Sequence, residues 1–502
     1  MGGRVRLNHS IQGILWCKFK STSGLSKWRF KILQFRRLYT TDTKALNHIL
    51  MTTSVYQKPE AARHNLSRIL GEGVLVVEGE KHKQQRKVMN PAFGPSQIRE
   101  LTEIFVSKAI QLRDAWASEN DRKDGQDWID ALSWLSRTTL DVIGLAGLFF
   151  CFPTALTLTG LHAGFNYKFD ALSEDPKKNE LNAAFALMFK AGTRLSLIPM
   201  IRAYFPFLRF LKTEQDVKAA EARKTMTRIS HELLRGSKNS VHEKGEKRDL
   251  LTLLVKSNMD TDIPEHQRMS DQDVLAQIPT FLVAGHETTS TGTTWALYAL
   301  TQDKAVQNKL REELFSVDTD NPTMDQLNAL PYLDMVVRET LRVHSPVPST
   351  IRIAVKDDLL PLGHPITDRK GVVHNFIKVT KGQMLFIPIL AINRDKSIWG
   401  EDAAEFRPER WEHVPEAAAN VPGVWGNMLT FLGGPRACIG YRFSLVETKA
   451  LLFTLVRAFE FDLAVPAKDI IKKSSIVQRP VLVTDPDGSN KMPLLIRPIE
   501  RS

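Results

Sequence analysis

The sequence predicts a mainly helical protein with a minor β-sheet region, of the α+β class. Apolar residues spaced for one helical face indicate a helix over Ser96–Arg122, and a long apolar helix over Leu275–Leu300 is interrupted only by Pro279. Strand signals cluster late in the chain, at Val372–Lys378 and Met384–Leu390. Long helices with a few late strands are typical of a helical body that carries a small sheet.

The remaining signals fit the same fold class. Thr213–Leu234 is a more polar helix, His242–Arg248 is a charged loop, and Asn321–Val343 holds a short helix and then a longer one. Leu482 and its neighbours form a further strand. Because no internal repeat and no Ser/Gly-rich linker divides the chain, we expect a single domain over residues 41–502.

The composition excludes several classes of protein. The 502 residues are 43% hydrophobic and 25% charged, which is ordinary for a soluble globular protein. The three cysteines, Cys17, Cys151 and Cys438, show no Cys-x-x-Cys spacing. Their scarcity argues for a reducing compartment and against a disulfide framework or structural zinc.

The net charge of +12 is concentrated at the N-terminus. Residues 1–41 contain nine Lys or Arg and no acidic residue, which leaves +3 for the rest of the chain. We therefore expect no nucleic-acid partner. Residues 1–40 form an atypical basic segment without a clear membrane anchor, since the apolar stretch Ile11–Cys17 is too short to span a bilayer. A basic surface-binding arm, a poorly folded leader and a mitochondrial targeting segment are the alternatives for it.

The strongest chemical signal is the segment FLGGPRACIG, which runs from Phe431 to Gly440. A lone cysteine is usually a small buried apolar residue. Here glycines on both sides of Cys438 let the backbone bend round a large flat ligand, and Arg436 can pair with an acidic cofactor edge. A long helix follows directly, and a helix N-terminus stabilises a thiolate. These features are what a thiolate ligand of haem iron requires.

The segment resembles the F-x-x-G-x-R-x-C-x-G signature of the cytochrome P-450 family of haem-thiolate monooxygenases, and it matches every fixed position. The resemblance continues in the family's order from about Thr41 to the C-terminus and is closest to the eukaryotic microsomal type, in particular to fungal members. It implies a cytochrome P-450 fold, a large helical body around haem b, with Cys438 as the axial ligand and metal-binding residue. Phe431, Arg436 and Gly440 would bind the cofactor.

A second motif, AGHETT from Ala284 to Thr289, lies midway along the apolar helix. Taken alone it could be a buried helix with a few polar residues, although buried polar groups are costly unless they are used. The family's oxygen-binding groove has this form. The resemblance implies that Ala284 and Gly285 let the helix lie close over the haem. It also implies catalytic roles for Thr288, which would hydrogen-bond the bound oxygen, and for Glu287, which would feed protons inward.

Two further motifs match the family. Glu339 and Arg342 are three residues apart on one helix face, which by itself indicates no more than a surface ion pair. With Arg410 downstream, the resemblance implies a buried structural network that fixes the loop presenting Cys438. His82 and Arg86, together with Arg352, stand where family members bind the haem propionates. A solvated basic turn is the alternative for residues 81–87.

The resemblance implies reductive activation of O2 and insertion of one oxygen atom into a hydrophobic small molecule. Because the substrate-contact segments carry no cluster of charges, a terpenoid, steroid, fatty acid or xenobiotic is expected. The resemblance to fungal members implies a role in secondary metabolism. Those segments are Arg63–Val77, Phe185–Ile201, Thr280–Ala284 and Val347–Ile351.

The implied electron source is NADPH, through NADPH-cytochrome P-450 reductase, which docks on the Cys438 side near Lys83, Lys87 and Arg442. The alternatives are a haem-thiolate isomerase or dehydratase, which Glu287 and Thr288 disfavour, and a non-catalytic haem-binding protein. We expect a monomer at the cytosolic face of the endoplasmic reticulum membrane, by resemblance. Leu195–Leu211 would make peripheral membrane contact or belong to the core.

One segment departs from the family. Residues 147–163 intervene between a helix like Ala131–Ala146 and a sequence like Gly164–Phe169, and these 17 residues are apolar and Thr-rich. A retained intron is our hypothesis, and a genuine loop insertion is the rival. Hydropathy alone would make Val142–Tyr167 a transmembrane candidate, but Pro153 and the polar flanks argue against a span.

Overall fold

The structure is a computed structural model, and it describes residues 14–17, 37–122, 128–148, 171–172, 214–242, 250–259, 264, 268–368, 370–474, 476–486 and 488–500. The described residues are mainly helical, as the sequence predicts. The helices are α1 (Thr43–Met51), α2 (Glu60–Leu70), α3 (Gly79–Met89), α4 (Pro95–Arg122), α5 (Ala131–Leu148), α6 (Glu214–His242), α7 (Leu250–Met259), α8 (Asp271–Gln302), α9 (Lys304–Phe315), α10 (Met324–Asn328), α11 (Pro331–Val343), α12 (Ile389–Asn393), α13 (Lys396–Trp399) and α14 (Tyr441–Ala458).

The strands are short and form small sheets. They are β1 (Ile14–Cys17), β2 (Arg37–Thr40), β3 (Tyr56–Gln57), β4 (Ile129–Asp130), β5 (Thr350–Ala354), β6 (Asp358–Thr367), β7 (Val373–Val379), β8 (Met384–Ile387), β9 (Phe459–Leu463), β10 (Ile470–Ser474), β11 (Gln478–Leu482) and β12 (Pro493–Pro498). A five-stranded sheet has the order β1-β2-β8-β5-β3, and a three-stranded sheet has the order β4-β12-β9. The pairs β6–β7 and β10–β11 are antiparallel hairpins.

The chain divides into two compact units. The sheet unit lies within Met1–Ala62 and Leu341–Cys438, and the helical unit lies within Arg63–Thr340 and Ile439–Ser502. In the sheet unit, the parallel pair β2–β8 aligns Leu38 with Leu385, and both side chains are buried. In the helical unit, α8 packs along α5 and α14, and the Trp116 ring lies tilted against Phe459 and edge-on to Phe461, with centroids 6.2 and 6.3 Å away.

Helix α8 is the central element of the helical unit, and its start is encoded locally. Ser270 and Asp273 form a reciprocal capping box, in which Ser270 Oγ accepts from the Asp273 N–H at 3.2 Å. Such a cap stabilises a helix start by about 1 kcal/mol. Pro279 lies inside the helix, which continues through it to Gln302. The 32-residue helix extends beyond the expected Leu275–Leu300 at both ends.

The other expected elements are present with shifted ends. The predicted Ser96–Arg122 helix is α4, and the polar helix from Thr213 is α6, which continues to His242. Strand β8 ends at Ile387 because Pro388 follows it and α12 begins at Ile389. The expected charged loop lies mostly outside the described residues.

Several sequence expectations fall on residues that the structure does not describe. They concern the N-terminal segment apart from residues 14–17 and 37–40, most of the 147–163 insertion, and the segments Phe185–Ile201 and Leu195–Leu211. Gly147 and Leu148 are the last residues of α5. None of the described helices has both the length and the apolar character needed to cross a bilayer.

Candidate active site

Cys438 ends a glycine-rich loop of the sheet unit, and carbonyl groups approach that loop closely. A Cβ at Gly433 would lie 1.9 Å from the Pro422 carbonyl oxygen. A Cβ at Gly434 would lie 2.6 Å from the Leu50 carbonyl oxygen, and Gly434 has a φ of +72°. Both positions therefore require glycine for reasons of packing within the protein itself.

The last residues of this loop are held by backbone hydrogen bonds. The Cys438 N–H donates to the Phe431 carbonyl oxygen at 2.9 Å, and Leu432 between them has a φ of +55°. Leucine rarely adopts the left-handed backbone conformation, which persists only where the surrounding structure fixes it. Phe431 is buried against the Trp425 ring, whereas the Cys438 side chain is exposed. The loop therefore presents the thiol outward from a fixed backbone.

Arg342 and Arg410 bind the same stretch of chain within the sheet unit. Arg342 Nη1 donates to the Asn393 carbonyl oxygen at 2.8 Å and to the Ala403 carbonyl oxygen at 2.5 Å. Arg410 Nη1 donates to Asp402 Oδ1 at 2.7 Å. Both arginines are almost fully buried, and Glu339, one turn earlier on α11, is buried as well. The two guanidinium groups thus fix the chain between residues 393 and 405.

Asn393, which the sequence did not single out, connects this stretch to the cysteine loop. Its Nδ2 donates to Thr430 Oγ1 at 2.8 Å, and its Oδ1 accepts from the Leu429 N–H at 2.9 Å. Thr430 Oγ1 in turn donates to the Leu341 carbonyl oxygen at 2.8 Å. A buried amide at the end of a short helix gives no distinctive sequence signal, and only the fold shows its role.

Arg436 and Arg352 are cations held among backbone carbonyl groups in the sheet unit. Arg436 donates to the Tyr56 carbonyl oxygen at 2.9 Å and to that of Thr53 at 3.3 Å. Arg352, 3% exposed, donates to the Ile351 carbonyl oxygen at 2.8 Å. Burial lowers the pKa of each guanidinium to about 10. Among the residues that the structure describes, no carboxylate pairs with Arg352, so its buried charge suits an anionic ligand.

Helix α8 presents a half-buried stripe in the helical unit. Phe281, Ala284, Gly285 and Thr288 follow the spacing of one helix face, and each is half-buried, whereas Leu282 is fully buried. Thr288 Oγ1 donates to the Ala284 carbonyl oxygen at 2.8 Å. The stripe thus places the Thr288 hydroxyl and the small Ala284 side chain on one half-buried face.

Gly285 has a steric partner that the sequence did not reveal. A Cβ at this position would lie 2.9 Å from Cγ1 of Ile143, a buried residue of α5. The family resemblance implies that a small residue at position 285 lets the helix lie close over the haem. In the structure, the close packing of α5 on α8 is already sufficient to require glycine.

Glu287 lies in a buried charged cluster with His286 and Arg479. Arg479, from strand β11, donates from Nε to Glu287 Oε2 at 3.0 Å, and its Nη2 contacts the same oxygen. His286 Nε2 lies 3.4 Å from Glu287 Oε1. Although burial by itself raises the pKa of Glu287, the hydrogen bonds and charges of His286 and Arg479 lower it to about 2. The carboxylate is therefore ionised at neutral pH.

Glu447 on α14 is a second buried carboxyl group, and its pKa is shifted in the opposite direction to that of Glu287. It is 1% exposed, and neither of its oxygens has a hydrogen-bond partner among the described residues. The neighbouring Thr289 hydroxyl donates instead to Ser444 Oγ at 3.1 Å. Burial raises the pKa of Glu447 well above its usual range, against a smaller lowering by Thr289.

Unlike Gly433, Gly434 and Gly285, Gly440 at the N-cap of α14 is not required to be glycine by the packing of the protein. Its φ is −91°, and a Cβ there would meet only the ring of Phe93, at an ordinary distance of 3.7 Å. Phe93 in turn packs edge-on against Phe281 of the α8 stripe, with ring centroids 5.5 Å apart. Phe93 therefore links the start of α14 to the stripe, a role for which its sequence context gave no signal.

The basic residues expected on α3 and α14 differ in exposure. His82 is 6% exposed, and Arg86 is half-buried and donates from Nε to Asn90 Oδ1 at 2.9 Å. Lys83 and Arg442 are exposed, and Lys83 pairs with Glu80 at 2.7 Å. Lys87 is exposed as well. The buried histidine is consistent with a ligand contact, and the exposed cations suit a docking surface.

Comparison with known proteins identifies the family. The family model for cytochrome P450 matches residues 23–484. The chain belongs to the cytochrome P450 family. This confirms the family, the fold class and the enzyme class, a cytochrome P450 monooxygenase, that the sequence predicts.

The relatives of this cytochrome P450 are fungal monooxygenases. Cytochrome P450 monooxygenase 205 of Postia placenta is 54% identical, over 96% of this chain and 87% of its own length. Cytochrome P450 monooxygenase claO of Ampulloclitocybe clavipes is 36% identical, over 93% of this chain and 85% of its own length. Ganoderic acid synthetase of Ganoderma lucidum is 32% identical, over 97% and 90%. Membership of the cytochrome P450 family implies a haem-thiolate cofactor, O2, an organic substrate and an electron-donating partner.

Proposed function

We propose that this cytochrome P450 inserts one atom of O2 into a hydrophobic small molecule, with electrons from NADPH delivered by NADPH-cytochrome P450 reductase. The observation that carries the proposal is the Cys438 loop. It presents an exposed thiol at the end of a backbone fixed by two sterically required glycines, Gly433 and Gly434. A rigid, exposed cysteine directly before a long helix has the chemistry of a thiolate ligand.

The residues present fit haem b. The protein's own packing does not require glycine at position 440, so the open space there fits a flat ring. Arg352 is a buried cation, and no carboxylate among the described residues pairs with it, so it fits an anionic propionate. Cys438 would be the axial ligand, and Arg436, His82 and Arg86 would hold the propionate edge. When bound, the haem supplies the reductive activation of O2.

Thr288 and Glu287 would handle the protons of the reaction. The Thr288 hydroxyl donates to its own helix in the structure, and rotation about one bond turns that proton toward a ligand on the half-buried stripe. Glu287 directly precedes it and is ionised, so this carboxylate must receive each proton before it passes one on. Ala284 leaves room for the oxygen substrate on the same stripe.

The substrate would be apolar. The described parts of the substrate-contact segments lie at Arg63–Val77, Thr280–Ala284 and Val347–Ile351, and residues Val74, Val76 and Val77 are buried there. The remaining segment, Phe185–Ile201, lies outside the described residues. We expect a terpenoid, a steroid, a fatty acid or a xenobiotic, and a relative named for the synthesis of ganoderic acid supports an organic small molecule as substrate.

The enzyme would work as a monomer at the cytosolic face of the endoplasmic reticulum, in peripheral contact with the membrane. The exposed cations Lys83, Lys87 and Arg442 would belong to the reductase-docking surface. Electrostatic docking of this kind weakens as salt screens the charges. We therefore expect the rate of NADPH-dependent turnover to fall as the ionic strength rises. A rate that does not change with salt concentration would contradict this docking surface.

The central assignment is tested by the absorption spectrum of the reduced, CO-bound protein. A Soret band at about 450 nm is expected from thiolate-ligated haem. Cys438→Ala should abolish that band, whereas Cys17→Ala and Cys151→Ala, which remove the other two cysteines, should keep it. A wild-type protein without the band, or a Cys438→Ala variant that retains it, would refute the assignment. NADPH consumption with a panel of terpenoids, sterols and fatty acids then identifies the substrate class.

A further inference from the structure

The chain segment 71–77, between α2 and α3, lies directly against α8. A Cβ at Gly73 would be 2.5 Å from Thr280 Oγ1 and 2.7 Å from the Ala276 carbonyl oxygen. A Cβ at Gly71, where φ is +71°, would be 3.3 Å from the Cβ of Ala276. Glycine at these two positions lets the two backbones approach each other closely. The segment is therefore packed on α8 along the turn from Ala276 to Thr280.

Gln277 of α8 ties this segment to the helix through a hydrogen bond to its backbone. The Gln277 Oε1 accepts from the Val74 N–H at 3.0 Å, and its Nε2 donates to the Asp273 carbonyl oxygen at 2.8 Å. Gln277 is 0% exposed, and Val74, Val76 and Val77 are buried as well. Because a buried N–H without an acceptor is costly, the position of the segment depends on this amide.

Gln85 of α3 holds the same segment through a second buried amide. Its Nε2 donates to the Glu72 carbonyl oxygen at 3.0 Å and to Asp273 Oδ1 at 3.2 Å, and the residue is also 0% exposed. Within the segment, the Val76 N–H donates to the Gly73 carbonyl oxygen at 2.8 Å, which closes a turn. Two buried glutamines from two helices, together with this internal turn, therefore hold the segment in one conformation.

The half-buried stripe of α8 ends at this segment. Gln277 lies four residues before Phe281 and eleven before Thr288, so it continues the helix face of the stripe. Phe281, Ala284 and Thr288 are half-buried, whereas Gln277 is fully buried and bonded to the segment. From Phe281 to Thr288 the helix rises about 10 Å. The half-buried part of this helix face therefore has a defined end.

The contacts with the segment lie on both sides of Pro279. A proline inside a helix removes one backbone hydrogen bond and weakens the helix locally. Thr280, directly after it, donates from Oγ1 to the Ala276 carbonyl oxygen at 3.0 Å, and a Cβ at Gly73 would collide with that same hydroxyl. Gln277 precedes the proline by two residues. The segment therefore packs on α8 where the helix lacks one of its own hydrogen bonds.

We propose that segment 71–77 is a fixed end wall of the substrate groove, and that Gln277 and Gln85 are the positioning residues that hold it there. The inference rests on the proposed function, because it places an apolar substrate along the stripe of α8. A substrate whose reacting carbon lies beside Thr288 extends toward Phe281 and reaches the wall after about 10 Å. The wall therefore limits the length of the apolar group that fits between it and Thr288.

The fixed position of the wall is measured by hydrogen exchange of the holoenzyme, followed by mass spectrometry. Peptides containing Val74, Val76 and Val77 should exchange slowly in the wild type, because these N–H groups are hydrogen-bonded and the residues are buried. Gln277→Met keeps the length of the side chain but removes the acceptor, so it should speed this exchange severalfold. Exchange in the wild type at the rate of an exposed loop would overturn the proposal.

The length limit is measured with 1-alkylimidazoles of increasing chain length, whose imidazole binds the haem iron and shifts the Soret band. While the alkyl chain is buried along the stripe, the affinity should rise about fourfold for each added methylene, and the rise should stop where the chain meets the wall. In Gln277→Met and in Gln85→Met the rise should continue to longer chains. A limit at the same chain length in the wild type and both variants would refute the wall, and so would a wild type without any limit.

The matched control is Gln307→Met on α9. Gln307 is also 0% exposed, donates from Nε2 to the Leu300 carbonyl oxygen at 2.9 Å and accepts at Oε1 from the Phe461 N–H at 2.9 Å. It belongs to neither the wall nor the stripe, so its variant should keep the wild-type limit although it loses comparable hydrogen bonds. A longer limit in Gln307→Met would mean that loss of any buried amide loosens the protein, and it would refute the proposal.

The outcomes separate this inference from the proposed function. If the wild type lacks the CO-bound band at about 450 nm, the proposed function fails, and the inference fails with it. If the band is present and the length limit does not move in the variants, only the wall is refuted. If Gln277→Met does not fold, Gln85→Met still removes the donor to the Glu72 carbonyl oxygen and gives the same two measurements.

Discussion

Arg342 Nη1 donates to the Asn393 carbonyl oxygen at 2.8 Å, and the Asn393 side chain continues the connection to Leu429 and Thr430. One buried guanidinium on α11 is thereby linked through a single residue to the loop that ends at Cys438. The loop contains little regular secondary structure, so side-chain hydrogen bonds take the place of the backbone hydrogen bonds that a β-strand would make. Its geometry depends on this chain of contacts.

Arg342→Lys should destabilise the protein and lower its haem content. An ammonium group cannot reproduce the fork that reaches the Asn393, Ala403 and Glu405 carbonyl groups, and buried acceptors then lose their donors. A loss of about 2–4 kcal/mol in the free energy of unfolding is expected. Urea titration measures it. Arg338→Lys is the matched control on the same helix, because a lysine there can still pair with the half-buried Asp334. An equal loss in both variants would contradict the special role of Arg342.

Gly433→Ala and Gly440→Ala should fail in different ways. The Cβ of the first would collide with the Pro422 carbonyl oxygen, so we expect little folded protein. The second meets only ordinary contacts in the protein, so its free energy of unfolding without haem should change by less than about 1 kcal/mol. If haem lies against residue 440, haem content after expression should nevertheless fall. Normal haem content in Gly440→Ala would argue against a ring at this position.

Glu287→Gln should remove part of the acid sensitivity of the protein. The folded-state pKa of about 2 lies below the ordinary value, so the ionised group contributes stability above about pH 4.5 and loses it as the pH falls toward 2. The contribution is on the order of 3 kcal/mol at neutral pH. Wild type and variant should therefore converge in acid, as measured by urea titrations at several pH values. Glu103→Gln, at an exposed position of α4, should keep the wild-type pH dependence.

Glu447→Gln should change the free energy of unfolding in the opposite direction to Glu287→Gln. Burial raises the folded-state pKa of Glu447, so above the unfolded pKa this group opposes folding. The cost in free energy grows as the pH rises above the unfolded pKa. An amide of similar shape avoids the cost, and the variant should be more stable than wild type at pH 7 but not in acid. A variant that is less stable at pH 7 would show that the carboxyl group has a partner which glutamine cannot replace.

The parts of the site that local sequence encodes were predictable. The α8 helix follows from its apolar run, and the Cys438 loop follows from its glycines and the helix after it. The family resemblance added the roles expected of Glu287, Thr288, Arg342 and Arg410. Spacing in sequence predicts such features because residues a few positions apart are neighbours in space.

The parts that depend on tertiary contacts were not predictable. Arg479 is 192 residues from Glu287 in sequence, and nothing around it distinguishes it from other strand arginines. The contact that requires glycine at position 285 is with Ile143, which lies on another helix. Asn393 and Phe93 act through contacts that only the folded chain creates. In each case the contact forms because elements distant in sequence pack together, and such contacts leave no periodic or local pattern in the sequence.

The pairing of Glu287 with Arg479 has a consequence for chimeric enzymes. The thiol at Cys438 and the carboxylate at Glu287 both precede the cation in the chain. A hybrid that joins residues 1–438 of this protein to the C-terminal segment of a relative would keep its own ligand cysteine and acid but inherit a foreign residue at position 479. Hybrids with a neutral residue there should bind CO normally and yet waste reducing equivalents, so the C-terminal segment is a practical place to tune coupling efficiency separately from cofactor binding.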